Sequence, residues 1–195
     1  MSKPSRIFAL VEDRLQQQFL YRFLLLSGIR SDEIEIDLSP SAHGAAEHWV
    51  RKNFPRFVKK CRARNARNTS TGMIVMLDAD SESVRRHIEE LDEALTDQDL
   101  EKIDPRNDPI ARLIPKWSVE TWILFLSAKG TNEPPVSEET PYKNSKTPEQ
   151  WRELVPSAVL NLRNLTTAPP DRPVRLLESI RFAIDEIPRA IPAAG

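Results

Sequence analysis

The sequence predicts an α/β fold: a mostly parallel sheet of about four strands flanked by helices. Two observations carry it. Short continuous apolar runs, as in strands buried on both faces, recur along the first two thirds of the chain. Between them lie stretches whose apolar residues repeat at helical spacing, and that alternation favours parallel pairing.

Ile7 to Val11 is the first apolar run and ends in Glu12 and Asp13. Leu15, Phe19, Tyr21, Phe23, Leu24 and Leu26 then fit a helix, with Gly28 as its stop. Residues 31–40 alternate Ile34, Ile36 and Leu38 with acids, which predicts a second strand with one exposed face. Residues 49–64 predict a basic helix that Pro55 must start or kink. Residues 73–77 form the third apolar run and end in Asp78-Ala79-Asp80. An acidic amphipathic helix follows over 83–95, and residues 111–117 give a short fourth strand. Ser118 offers an N-cap for a helix carrying Val119, Trp122, Ile123, Phe125 and Leu126.

After Gly130 the composition shifts, and ten of the sixteen prolines lie from Pro134 onward. The division expected is an α/β domain over 1–130, then a Pro-rich linker or arm with a helical appendage over 131–195. Its two short helices, 154–165 and 174–187, are expected to pack back.

A length of 195 residues suits one domain with an appendage, and 39% hydrophobic residues suffice for a core. Net charge of −1 excludes a binder that relies on overall positive charge. The single cysteine, Cys61, allows no internal disulfide and fits a reducing cytoplasm. Five apolar residues from Ile7 are too few for a secretory signal, and no stretch approaches the ~20 needed to span a bilayer. The expectation is a cytoplasmic protein with no membrane partner.

Two apolar strands thus end in acids, and in a parallel sheet both ends fall on one edge, where ligands bind. In extended chain Asp78 and Asp80 point the same way. Converging carboxylates repel one another unless a cation sits among them, and an all-oxygen set suits Mg²⁺ or Mn²⁺. Such an ion stabilises phosphoryl charge and activates water.

A Glu closing the first strand, Asp-x-Asp closing a later one and the α/β order between them resemble the TOPRIM domain of topoisomerases, primases, recombination proteins and overcoming-lysogenization-defect nucleases. The resemblance covers about residues 6–126. It implies that Glu12 is acid/base or ligand and that Asp78 and Asp80 bind Mg²⁺. "LIPKWSVETWIL" is similar to the segment of small stand-alone TOPRIM-like proteins in which an acid precedes Trp at a helix start, which makes Glu120 a further catalytic or liganding candidate. Many members carry Gly where this chain has Asp13, so Asp13 is an extra ligand or simply a helix N-cap. Glu120 equally suits a first-turn carboxylate meeting the helix dipole.

From His48 to Arg67 there are eight basic residues and no acid: Arg51, Lys52, Arg56, Lys59, Lys60, Arg62, Arg64 and Arg67. They suit salt-sensitive phosphate contacts, or pairing with the acidic stretch 78–101 or with a partner. Lys116 can stabilise a phosphoryl transition state or be an ordinary strand-end lysine. His43, His48 and His87 show no zinc spacing and read as surface residues. "AHGAAE" suits a small loop near the acid edge, with Gly44 permitting close approach. Trp122 reads as core, and Trp117 packs or stacks on a base.

The leading functional expectation is a Mg²⁺-dependent nuclease or phosphodiester-processing subunit acting on nucleic acid, DNA rather than RNA. By analogy with small proteins of this resemblance it would partner an ATPase in antiphage defence. The alternatives are a non-catalytic binding or regulatory subunit, or a response-regulator receiver with Asp78 as phospho-acceptor.

Overall fold

The structure is a computed structural model and describes residues 4–40, 45–128, 136–167 and 176–192. Four strands, β1 (Arg6–Val11), β2 (Ile34–Leu38), β3 (Thr71–Met76) and β4 (Ile110–Leu113), form one parallel sheet in the order β2-β1-β3-β4. The helices are α1 (Arg14–Leu26), α2 (Ala46–Asn65), α3 (Val84–Thr96), α4 (Val119–Ser127), α5 (Pro148–Thr167) and α6 (Glu178–Ala190), with a 3₁₀ turn at Ser31–Glu33. The expected α/β architecture with a four-stranded parallel sheet is therefore present, and it is compatible with a Rossmann-like fold.

Strand alternation sorts the core into two layers. Ile7, Ala9 and Val11 face one way and pack with α1, α4, α5 and α6 through Phe19, Trp122, Val159 and Ile184. Phe8 and Leu10 face the other way, onto Phe54 and Val58 of α2 and Leu91 of α3. Both faces of β1 and β3 are covered, which is why these runs are uninterruptedly apolar. The edge strand β2 is half-buried along its whole length.

Local signals set the helix ends. Asp13 caps α1 by accepting from the Gln16 N–H at 2.8 Å. Gly28, at φ 81°, closes α1: its N–H donates to Leu25 O, and the Ile29 N–H donates to Leu24 O. That bond pair is a Schellman motif, which needs the left-handed residue that glycine supplies cheaply. Ser83 caps α3. α2 begins at Ala46 and runs on through Pro55, so Pro55 does not start it.

The two C-terminal helices share the core of the sheet. α5 lies on α1 and α4, and α6 lies on β3 and β4. A buried ion network ties α6 to β4: the Glu186 carboxylate accepts from the Arg112 backbone N–H at 2.9 Å and from its guanidinium at 3.3 Å. Arg189 also pairs with Glu186, and Asp92 of α3 faces Arg112 at 3.3 Å. Gly72 marks a close approach, since a Cβ there would lie 2.4 Å from the Ala190 carbonyl oxygen and 2.7 Å from Ile7 Cδ1. Gly72→Ala is expected to cost ~2–4 kcal/mol, because it must push α6 off β3. Urea denaturation measures the loss, and a cost within ~0.5 kcal/mol would show that α6 is not held at this spacing.

Residues 136–147, expected as linker or arm, have no regular structure but are tied down. The Trp117 indole N–H donates to Glu138 O at 2.9 Å, and the Glu138 carboxylate accepts from the N–H groups of Glu178 and Ser179 at the start of α6. Residues 129–135, Val174, and the proposed loop with His43 and Gly44 lie outside the described residues. No described helix is long and apolar enough to cross a membrane.

Candidate metal centre

The strand register builds the site. Val11 pairs with Leu38 and Met76, and Met76 with Leu113, so all four strands end at one level. The residues that follow β1 and β3 therefore emerge side by side, where the chain's path divides to either side of β1. That crevice is where doubly wound sheets bind ligands. It forms a cleft of about 520 Å³ lined by Glu12, Asp13, Glu47, Asp78, Asp80 and Lys143, among others.

Asp78 lies at the centre and is 4% exposed. Its Oδ1 accepts from the Gln16 amide at 2.8 Å and from the Val119 N–H at 3.0 Å, so this carboxylate caps α4. Ser118, expected to do so, makes no side-chain cap bond. Asp78 Oδ2 faces the Lys143 ammonium at 3.8 Å. Glu12 Oε2 accepts from the Asp78 backbone N–H at 3.0 Å and from Gln16 Nε2 at 3.2 Å. Gln16 thus bridges the two acids, with its carbonyl accepting from the Glu12 N–H.

Glu120, in the first turn of α4, is 6% exposed, and its Oε2 is buried with no hydrogen-bond partner. Asp13 lies at the cleft wall with one oxygen used as the α1 cap. Asp80 also lines the cleft but is exposed, at φ 43° and bridged to Trp117. The expected extended geometry from Asp78 to Asp80 is broken by that left-handed residue, which Asp tolerates better than most. Both acids still border one cleft.

Burial dominates the electrostatics. It raises Glu12 from 4.5 to about 7, against the Asp78 N–H and Gln16 bonds that favour the anion. Burial, then the neighbouring Glu12 charge, pushes Asp78 well above the usual range. Glu120 is raised too, chiefly by burial. Burial works to lower the Lys143 ammonium, but Asp78, Glu120, Asp80 and Asp13 outweigh it and the net shift is upward.

These shifts predict an unusual pH profile. Between 4.5 and about 7 the folded chain holds a proton on Glu12 that the unfolded chain has lost, so stability falls as pH rises through this window. The loss is about 3 kcal/mol for Glu12 alone. Saturating Mg²⁺ is expected to cancel it. Denaturation at pH 5 and pH 8, with and without Mg²⁺, measures this; a metal-free protein that is more stable at pH 8 would contradict it.

The other predicted residues divide. Lys116 donates to the carbonyls of Asp80, Ser81 and Glu82 and lies 4.6 Å from the Trp117 ring centroid, so it braces the loop after β3. The basic run splits along α2, whose N-terminal end meets the cleft at Ala46 and Glu47. Arg51 pairs with Glu47 and Glu90, and Arg62 forks onto Asp108. Arg56 and Lys60 reach Asp37 and Glu35 of β2, and Arg64 donates to Thr71. Lys52, Lys59 and Arg67 are exposed, with Arg67 beyond the far end of α2. Trp122 is core, its N–H on Ser179 Oγ at 2.7 Å.

His87, expected at the surface, is 3% exposed and meets Glu47 and Glu90 in a group that can hold a metal ion. Its spacing of four from Leu91, which is four from Leu95, is the signal that places it on the buried face. Gln16, Glu47 and Lys143 carried no comparable signal.

The chain matches no protein-family model, no curated protein and no solved structure. Function is therefore argued from the site.

Proposed function

We propose that this chain is a Mg²⁺- or Mn²⁺-dependent, TOPRIM-like enzyme that processes phosphodiester bonds in nucleic acid. The observation that carries this reading is one cleft lined by Glu12, Asp13, Asp78 and Asp80, with Arg14 and Lys143 as the cations of its lining, and with the buried Glu120 near enough to help raise the Asp78 carboxyl. The donor set is all oxygen, and the unpartnered Glu120 Oε2 is a buried acceptor of the kind a cation satisfies. Glu12, Asp78 and Glu120 would hold the ion, with Asp13 and Asp80 at the rim. When bound, it supplies charge neutralisation for a phosphoryl group and a more acidic water.

The chain's own residues do the rest. Gln16 and the Val119 N–H fix Asp78, and Gln16 also fixes Glu12. Burial raises Glu12 to about 7 in the metal-free site, and a bound ion would hold it as the anion, so its part here is that of a ligand. Lys143 is placed to bind a phosphate oxygen. The exposed cations of α2 extend the contact surface: a helix of 20 residues is about 30 Å long, enough to follow several nucleotides of DNA, the favoured substrate.

A second reading is a non-catalytic binding subunit, favoured by the ion pairs that occupy Arg51 and Arg62. An ATPase partner fits either reading. The deciding experiment incubates the chain with labelled DNA and RNA plus Mg²⁺, Mn²⁺ or EDTA, alone and with a co-encoded ATPase. Metal-dependent cleavage is expected; binding without cleavage under every condition would favour the second reading.

A further inference from the structure

Beside the acid cleft, α2 and α3 bring Glu47, His87 and Glu90 together, with ligand atoms within 4.8 Å of one another. The His87 Nδ1 lies 3.2 Å from Glu47 Oε1 and 3.2 Å from Glu90 Oε2. Tetrahedral ligands at about 2.0–2.2 Å from an ion stand roughly 3.3–3.5 Å apart, close to this spacing. The ring is also oriented for the task. Its Nε2 lies 3.1 Å from the Ala79 carbonyl, which can only accept, so Nε2 carries the proton and Nδ1 presents its lone pair.

All three ligand atoms face one cation, the Arg51 guanidinium. A single terminal nitrogen of Arg51 pairs with Glu47, lies 2.6 Å from Glu90 Oε2 and 3.1 Å from His87 Nδ1. That nitrogen stands in for an ion. The fit is incomplete, because Arg51 Nε is buried with no acceptor. Glu90 Oε1 is turned away to Arg86 at 3.1 Å, which leaves Oε2 for the shared point.

We propose that Glu47, His87 and Glu90 form a transition-metal site with one nitrogen and two oxygen donors, suited to Zn²⁺, in which the metal and the Arg51 guanidinium exclude each other. The imidazole separates this site chemically from the all-oxygen cleft: borderline ions favour it and Mg²⁺ does not. Glu47 belongs to both, since it also lines the cleft. Metal binding here releases Arg51, one helical turn from Glu47 at the cleft wall, to meet a phosphate.

The test titrates the full chain with Zn²⁺ and with Co²⁺ as a visible-absorbing probe, in an Asp78→Asn background that weakens the neighbouring cleft. Arg51→Met, which keeps an apolar stem and removes the competing cation, is expected to bind at least about tenfold more tightly than Arg51 protein. Adding His87→Gln should abolish the Co²⁺ spectrum. In the unsubstituted chain, ¹⁵N NMR of the histidines should show His87 Nδ1 shifting on Zn²⁺ addition while Nε2 stays protonated. Equal affinity with and without Arg51, binding that survives His87→Gln, or an unmoved His87 resonance at saturating Zn²⁺ would each overturn the proposal.

Discussion

Asp78→Asn is expected to lower metal-dependent cleavage by about a thousandfold or more, on the order of 4 kcal/mol of transition-state stabilisation. The substitution removes charge and little else. An Asn carbonyl at the Oδ1 position still accepts from Gln16 and from the Val119 N–H, so the α4 cap survives. Asp78 is 4% exposed with a carboxyl pushed well up, so its anion costs stability that the neutral amide does not. The metal-free variant should therefore melt higher than wild type at pH 8 while being nearly inactive. Glu12→Gln should behave alike in activity. A variant as active as wild type would remove Asp78 from the mechanism, and one that is merely unfolded would assign it a structural role.

Glu186→Ala is expected to cost ~3–5 kcal/mol, a large part of the ~5–15 kcal/mol that holds a domain folded. Glu186 is 1% exposed and Arg112 is 6% exposed. Removing the carboxylate leaves the Arg112 N–H without its acceptor and its guanidinium facing Asp92 alone. Glu186→Gln, which can still accept from that N–H, should cost clearly less. Guanidinium denaturation of the three proteins measures this. A loss within ~1 kcal/mol for Glu186→Ala would mean that α6 contributes little to holding β4.

The parts legible in the sequence share one cause, which is short-range pattern. Ile7 to Val11 and residues 73–77 announce buried strands because both faces are covered, and the acids that follow them emerge together because the strands are parallel and end level. Glu120 was legible from its place just before Trp122 at a helix start, although Ser118 does not cap that helix. The rest depends on tertiary contacts between distant segments. Lys143 lies 65 residues after Asp78 in a Pro-rich stretch, held by anchors at Glu138 that no local pattern foretells. Gln16 looks like one of three consecutive glutamines, yet it alone points inward to join Glu12 and Asp78. Lys116 read as an active-site cation by adjacency, but the left-handed turn at Asp80 presents three carbonyls to it instead. The basic run suited phosphate contacts or pairing with acids; a helix distributes it around its axis and along its length, where Glu90 of the acidic stretch takes Arg51, and acids of β2 and Asp108 before β4 take three more of its members.

The central claim is that Glu12, Asp78 and Glu120 together hold a divalent ion. Anomalous diffraction from crystals grown with Mn²⁺ tests it most directly. The account predicts a Mn²⁺ peak bonded to oxygens of these three side chains, with Lys143 Nζ moved away from Asp78. Full Mn²⁺ saturation with no peak among them, and Lys143 still facing Asp78, would contradict it.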